Sequence, residues 1–336
     1  MSKQVYLTGI TTTGTPHLGN YVGAVRPAIE ASRIESNESY YFLADYHALI
    51  KSTDAALVRQ SRMEIAATWL ASGLDPDKVT FYRQSDIPEI PELTWMLTCM
   101  AAKGLLNRAH AYKALVQENV DSDSADPDKG ITMGLFSYPI LMAADILMFK
   151  ATKVPVGKDQ IQHLEMTRDI AQRFNHHYGE LLVIPEVVVE ERTAVLSGLD
   201  GRKMSKSYNN TIPLFETEKK LRKSIMKIKT NSLEPGEPKD PDDSVVFEIY
   251  RAFCNDEEAA AMRDDFAGGI SWGDSKQRLF EKINETLAEP RDKYLELMQN
   301  TSSIEDILEE GARKARIESR ALMDQLRAAT GISAKG

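Results

Sequence analysis

Val5-Tyr6-Leu7-Thr8-Gly9-Ile10-Thr11-Thr12-Thr13-Gly14-Thr15-Pro16-His17-Leu18-Gly19-Asn20 leaves a β-prone run, crosses a loop of threonine and glycine, and enters a helix. Val5 to Thr8 reads as a strand and His17 to Ser32 as the helix after it. In an open parallel sheet, this turn from strand end to helix start is where nucleotides bind. The free amides of the helix start, aided by its dipole, suit an anion such as a triphosphate. Gly9 and Gly19 let backbone approach a ligand closely. His17 is placed to donate to phosphate oxygens, and Asn20, three residues on, reaches the same side of the helix. No Gly-Lys-Ser/Thr and no Gly-x-Gly-x-x-Gly occurs, so P-loop ATPase and dehydrogenase readings lose their main support.

Outward from this stretch, strands and amphipathic helices alternate. Tyr40 to Ala44, Val79 to Arg83, Val154 to Val156 and Leu181 to Ile184 are expected strands. Between them, helices are expected over Thr53–Ser72, Pro91–Met100, Lys103–Gln117, Leu135–Phe149 and Asp159–Asn175. That alternation predicts an α/β fold, a Rossmann-like parallel sheet with helices on both faces. The Asp- and Pro-bearing run from Asn119 to Gly130 reads as a mobile surface loop. Beyond about Asn210 strand signals vanish, and helices are expected over Leu214–Lys229, Ser244–Cys254, Glu257–Phe266, Ser275–Met298 and Ile304–Ala329. The chain thus divides into a catalytic half, 1–195, a polar loop, 196–212, and an all-helical C-terminal domain, 213–336, whose last helix is free to pack back on the first half.

At 336 residues, 42% hydrophobic and 27% charged, the composition is that of an enzyme-sized globular protein of about two domains. Cys99 and Cys254 are the only cysteines, too few for a disulfide framework or a zinc or iron–sulfur set. The start has no apolar signal segment and no run is long enough to span a membrane, so a cytoplasmic protein is expected. The net charge of −9 excludes a generally basic, nucleic-acid-coating surface. Local stripes remain: Lys219, Lys220, Arg222, Lys223, Lys227 and Lys229, then Arg313, Lys314, Arg316, Arg320 and Arg327. Such runs are more often solvated helix faces than binding sites.

Lys203-Met204-Ser205-Lys206-Ser207 lies in the loop between the halves. Its lysines and serines can close over a pyrophosphate leaving group and neutralise its developing charge. Alone the pentapeptide says little; paired with His17-Leu18-Gly19-Asn20 it resembles the two signatures of class I aminoacyl-tRNA synthetases, with Asn20 where the fourth residue is often His. A third run is more specific. Tyr138-Pro139-Ile140-Leu141-Met142-Ala143-Ala144-Asp145-Ile146-Leu147, Val154-Pro155-Val156-Gly157-Lys158-Asp159-Gln160-Ile161-Gln162-His163 and Thr167-Arg168-Asp169-Ile170-Ala171 together look like the core of the tryptophanyl-tRNA synthetase family. Physically, Asp145 sits mid-way along an apolar helix, where a buried carboxylate needs a partner. Indole has one donor and no acceptor, so an acceptor-only side chain complements it.

The resemblance implies a two-step reaction: tryptophan and ATP give the adenylate, and the acyl group passes to tRNA. It implies that Asp145 accepts the indole N–H, that Met142 packs on the ring, and that Tyr138 and Gln160 hold the ammonium. His47, just after the second strand, is a weaker candidate for the same pocket. By the same resemblance ATP would be held by Gly9, Thr11, Thr12, Thr13, Gly19, Asn20, Gly157, Lys158, Asp159, Val195 and the 203–207 loop, with Lys113 touching a phosphate. His17, Asn20, Lys203, Lys206 and Ser207 would act on the reacting phosphates. Mg²⁺ with ATP, a homodimer, and anticodon contacts by the helical domain to tRNA(Trp) also come from the resemblance alone. A tyrosyl-tRNA synthetase shares the fold and both signatures, but Met142 and Asp145 argue against a phenol pocket. A small-molecule nucleotidylyltransferase would leave the helical half unused. Thr11 and Leu115 depart from the family's usual residues, which keeps a divergent regulatory paralogue as the reading from another class.

Overall fold

The computed structural model describes residues 4–122, 124–157, 160–189 and 195–333. Five parallel strands form one sheet: β1 Gln4–Thr11, β2 Asn37–Ala44, β3 Val79–Arg83, β4 Lys153–Val156 and β5 Glu186–Val189, in the order β3-β2-β1-β4-β5. Chain order reverses direction between β1 and β4, the switch point of a doubly wound sheet. β1 pairs with β2 along its whole length, from Gln4↔Asn37 to Thr11↔Ala44, but with β4 only at Tyr6↔Lys153. Past Tyr6 the two central strands therefore part, and a crevice opens above their carboxyl ends.

Helices follow in chain order. α1 Leu18–Asn20 continues through a π turn, Tyr21–Val25, into α2 Arg26–Ser32. α3 Asp45–Ala48, α4 Ala55–Ala71, α5 Glu89–Met100, α6 Lys103–Leu106, α7 His110–Asp121, α8 Met133–Met148 and α9 Ile161–Tyr178 complete the α/β part. The helical part holds α10 Glu218–Met226, α11 Val245–Arg251, α12 Asp256–Ala267, α13 Trp272–Gln299 and α14 Ser302–Thr330. β2 shows why helices cover both faces. Tyr40, Phe42 and Ala44 enter one core with residues of α5, α8 and α9, whereas Tyr41 and Leu43 enter another with residues of α2 and α4. That is the period-two alternation of a strand buried on both sides.

A third core joins the two parts of the chain. Leu18 and Val22 pack with Met204, Ile212, Leu221, Ile249 and Leu279. α13 spans the join: Leu279, Ile283 and Leu287 belong to this core, and Tyr294 and Leu297 lie against the core beneath α4. α14 then straps over the β3 edge of the sheet. Its Ile304 and Leu308 belong to the core on one face, its Ala312, Ala315 and Leu322 to the core on the other. Gly311 sits at the crossing, where any Cβ would fall inside the van der Waals shell of the Phe81 carbonyl.

Three expectations need correction. The fifth strand is Glu186–Val189, not Leu181–Ile184. The Leu181 and Leu182 amides donate to Asn175 Oδ1 at 3.2 and 2.9 Å, and Asn175 Nδ2 donates to the Leu182 carbonyl at 2.8 Å, so a side-chain amide takes these backbone groups before a ladder can. The helix expected over Lys103–Gln117 is two, α6 and α7, separated at Asn107–Ala109. The 119–130 segment is exposed but tied: Asn119 Nδ2 donates to the Pro127 and Lys129 carbonyls at 2.8 and 2.9 Å, and Tyr112 Oη to Asp128 at 2.8 Å.

Candidate active site

The crevice at the switch point is a cavity of about 1080 Å³. Thr11, Thr13, Gly14, His17, Gly19 and Asn20 line it from the β1–α1 turn, and Lys203, Met204, Ser205 and Lys206 from the opposite loop. The two signatures, far apart in sequence, are laced together by backbone: Leu18 N–H donates to the Ile212 carbonyl and Leu214 N–H to the Pro16 carbonyl, each at 3.0 Å. Met204, buried in the third core, fixes the loop from below. Asn210, equally buried, is its hub. Asn210 Oδ1 accepts the Ser205 N–H at 2.8 Å, and Nδ2 reaches Asp200 at 2.7 Å and the Lys203 carbonyl at 3.1 Å.

His17 caps α1. Its Nδ1 accepts the Asn20 N–H at 3.3 Å, while Asn20 Oδ1 accepts the His17 N–H at 3.1 Å, a reciprocal capping box. Burial, then the nearby Lys206 charge, pushes the His17 pKa down to about 4. The ring is therefore neutral at pH 7, and with Nδ1 accepting, the proton sits on Nε2. Lys206 Nζ donates to the Thr13 carbonyl and lies over Gly14, whose φ of +68° excludes most side chains. Burial lowers the Lys206 pKa, with the Glu64 charge acting the other way. The Gly14 N–H is taken by Ser61 Oγ of α4 at 2.8 Å.

The other end of the cavity is built on α8. Met142, Asp145 and Ile146 line it with Leu7, Phe42 and Val154 of the strands. Asp145 is 1% exposed. His47 Nε2 lies 3.0 Å from its Oδ2, and Gln84 Nε2 donates to Oδ1 and Oδ2 at 2.8 and 2.9 Å. Burial raises the Asp145 pKa, opposed chiefly by these donors, and Asp45 adds to the rise. A carboxylate has about four lone-pair sites, so capacity is left for one more donor from the cavity. Nearby, Tyr138 Oη meets His163 Nε2 at 2.6 Å, and His163 Nδ1 meets Gln160 Oε1 at 2.8 Å. His163 thus links Tyr138 to Gln160, one ring nitrogen on each.

Of the residues expected from sequence, Gly9, Thr11, Thr13, His17, Gly19, Asn20, His47, Tyr138, Met142, Asp145, Gly157, Gln160, Val195, Lys203, Met204, Ser205 and Lys206 line this one cavity. Three stand apart from its lining: Thr12, buried with its hydroxyl unpaired; Ser207, exposed one residue past Lys206; and Lys113, exposed on α7. Lys158 and Asp159 lie outside the described residues. Sequence reasoning passed over Gln84, Ser61, His163 and Asn210. Gln84 stands right after β3, and the carboxyl ends of strands were the signal that could have found it. The basic stripe on α14 is largely spent on internal pairing: Arg316 and Arg320 reach Glu89 at 3.2 and 3.5 Å, and Arg327 reaches Glu92 at 2.6 Å. On α10, Lys220 pairs with Glu216 at 3.2 Å, and Lys219 and Lys223 are exposed.

The family described as tRNA synthetases class I (W and Y) matches residues 2–288. The tryptophan–tRNA ligase of Pseudomonas putida is 62% identical over 329 residues, 97% of this chain and 73% of that protein. The tryptophan–tRNA ligase of Neisseria meningitidis serogroup A is 60% identical over 332 residues, 99% of each. A tryptophanyl-tRNA synthetase of Campylobacter jejuni, solved with ADP and tryptophan, superposes with a TM-score of 0.88 at 40% identity, covering 98% of this chain and all of its own. With both signatures facing one cavity and a buried carboxylate at its apolar end, the chain belongs to the tryptophanyl-tRNA synthetases, within the class I family of tryptophan and tyrosine enzymes.

Proposed function

We propose that this chain activates L-tryptophan with ATP and passes the acyl group to the terminal adenosine of tRNA(Trp), with the cavity divided as follows. The indole lies at the apolar end, its N–H donated to Asp145 and its ring against Met142. Tyr138 and Gln160 receive the ammonium. The tryptophan carboxylate then attacks the α-phosphorus; the new O–P bond forms as the bond to the β-phosphate oxygen breaks, and pyrophosphate leaves with that electron pair. His17 Nε2–H, Lys203 and Lys206 stabilise the charge that gathers on the departing phosphates. The observation that carries this reading is Asp145, a fully buried acceptor facing the apolar end of a cavity whose other end is lined by both phosphate-type signatures.

Among the described residues, no group of three or more His, Cys, Asp or Glu is placed to hold a metal. The side chains from the signature loops that line the phosphate end offer lysine, amide, imidazole and hydroxyl groups rather than a carboxylate cage. Mg²⁺ would thus enter as part of the ATP substrate, bound mainly by its phosphates. Residues 1–195 would bind both small substrates, 196–212 would follow the leaving group, and 213–336 would contribute tRNA contacts, with a homodimer as the working form in the cytoplasm. No described helix is long and apolar enough to cross a membrane. Tryptophan-dependent ATP–pyrophosphate exchange tests the reading: exchange with tryptophan and none with tyrosine supports it, and no exchange with either contradicts it.

A further inference from the structure

Gln84 touches no part of the cavity, yet it makes two of the three hydrogen bonds that hold Asp145. It is 0% exposed, at the first position of the short 3₁₀ turn Gln84–Asp86 that follows β3. Its orientation is not free. The Tyr46 N–H, at the start of α3, donates to Gln84 Oε1 at 3.1 Å, which commits the oxygen to that side and turns the amide nitrogen toward Asp145. The turn itself is clasped from the other side: Asp45 Oδ1 accepts the Ser85 N–H at 2.9 Å and Asp45 Oδ2 the Ser85 hydroxyl at 2.6 Å. The β2–α3 and β3 turns thus lock each other, and the product of the lock is a donor aimed at one carboxylate.

We propose that Gln84 is a positioning residue for amino-acid selection, holding the Asp145 carboxylate so that one oxygen lone pair faces the cavity for a ring N–H. The inference rests on the reading that Asp145 accepts the indole N–H. A carboxylate held by His47 alone could rotate about its Cβ–Cγ bond; the second holder removes that freedom. The geometry also explains why selection needs a residue that never meets the substrate: a donor in the cavity wall would compete with the indole, whereas one behind the carboxylate only orients it.

The test compares Gln84→Met, Gln84→Glu and Asp145→Ala in amino-acid-dependent ATP–pyrophosphate exchange. Gln84→Met keeps the shape and removes the donor to Asp145 together with the acceptor of the Tyr46 N–H, leaving a buried carboxylate oxygen and a backbone amide each short of a partner. It is expected to raise KM for tryptophan about tenfold, with KM for ATP unchanged and kcat little affected. Gln84→Glu places a second carboxyl against Asp145, where the two must share a proton. The titratable groups around that pair are His47 and Asp45 on α3, with Tyr82 on β3 behind them. KM for tryptophan in Gln84→Glu is therefore expected to rise with pH between 6 and 8 more steeply than in the parent. A general packing defect would not produce that dependence. Unchanged tryptophan KM in Gln84→Met, alongside a raised KM in Asp145→Ala, overturns the role of Gln84 and leaves the Asp145 assignment standing. Unchanged KM in Asp145→Ala overturns both. If Gln84→Met does not fold, a tryptophan KM in Gln84→Glu that rises with pH no more steeply than the parent's is enough to reject the proposal.

Discussion

At the scale of single residues the site works by fixing which atoms may donate. The Asn20 amide on His17 Nδ1 puts the ring proton on Nε2, and the depressed pKa keeps the ring neutral, so in the proposed reaction it would offer phosphate a hydrogen bond rather than a charge. Full charge would come from the lysines. Lys206, folded against the Thr13 carbonyl over Gly14, stands where the leaving group would emerge. Lys206→Ala is expected to slow activation by roughly 10²-fold, the usual effect of losing one donor at a charge-stabilising site. Tryptophan affinity measured by equilibrium binding should hold steady, and full exchange activity in the variant contradicts the assignment. The sequence made Asp145 legible because a carboxylate inside an apolar helix demands partners. It did not make Gln84 legible, because that partner arrives from a strand end 61 residues away and nothing local to Gln84 announces a buried donor.

At the scale of elements, the alternation of strands and helices was readable because short β-prone runs are set between amphipathic stretches; β2, buried from Ser39 to Ala44, is covered on both faces as such a sheet requires. The fifth strand was misplaced because Leu181–Ile184 is as apolar as a strand, and the side-chain hydrogen bonds of Asn175, six and seven residues upstream, hold its start as a loop. The α14 strap was open in sequence: its apolar spacing says amphipathic helix, not which surface receives it. The packing supplies a sharp constraint at Gly311, where helix and strand meet with no room for a side chain. Gly311→Ala should push α14 off the β3 edge at a cost of about 1–3 kcal/mol, the range for overpacking a tight contact. A lower midpoint in urea unfolding with an unchanged slope is the expected result, and a midpoint equal to the parent's removes the crossing as a tight contact.

At the scale of the whole molecule, a chain with net charge −9 must meet a polyanion through a local surface. The structure narrows where. On α14, Arg316 and Arg320 share Glu89 and Arg327 pairs with Glu92, both on α5, while Arg313 pairs with Glu310 of its own helix; on α10 Lys220 pairs with Glu216, and the exposed Lys219 and Lys223 make the less compensated stripe. Reversing Lys219, Lys220 and Lys223 to glutamate should weaken tRNA charging more than adenylate formation. The slope of log affinity against log salt should fall in the variant, since fewer phosphate counterions are released. Equal tRNA affinity at low salt in variant and parent eliminates this stripe.

The central claim is that one buried carboxylate reads the indole nitrogen, and the crossing of two proteins with two substrates measures it. Exchange kinetics of the parent and Asp145→Ala are taken with tryptophan and with 1-methyltryptophan. Removing the carboxylate leaves the indole donor unpaired in an apolar site, a loss of about 1.5–3 kcal/mol for a bond to a charged group, so KM for tryptophan should rise at least about tenfold in the variant. Methylation should penalise the parent heavily and Asp145→Ala much less, because the group it offends is gone. The difference between the two penalties is the coupling energy of that one contact. A large coupling confirms that Asp145 faces the indole N–H; equal penalties in both proteins would contradict it.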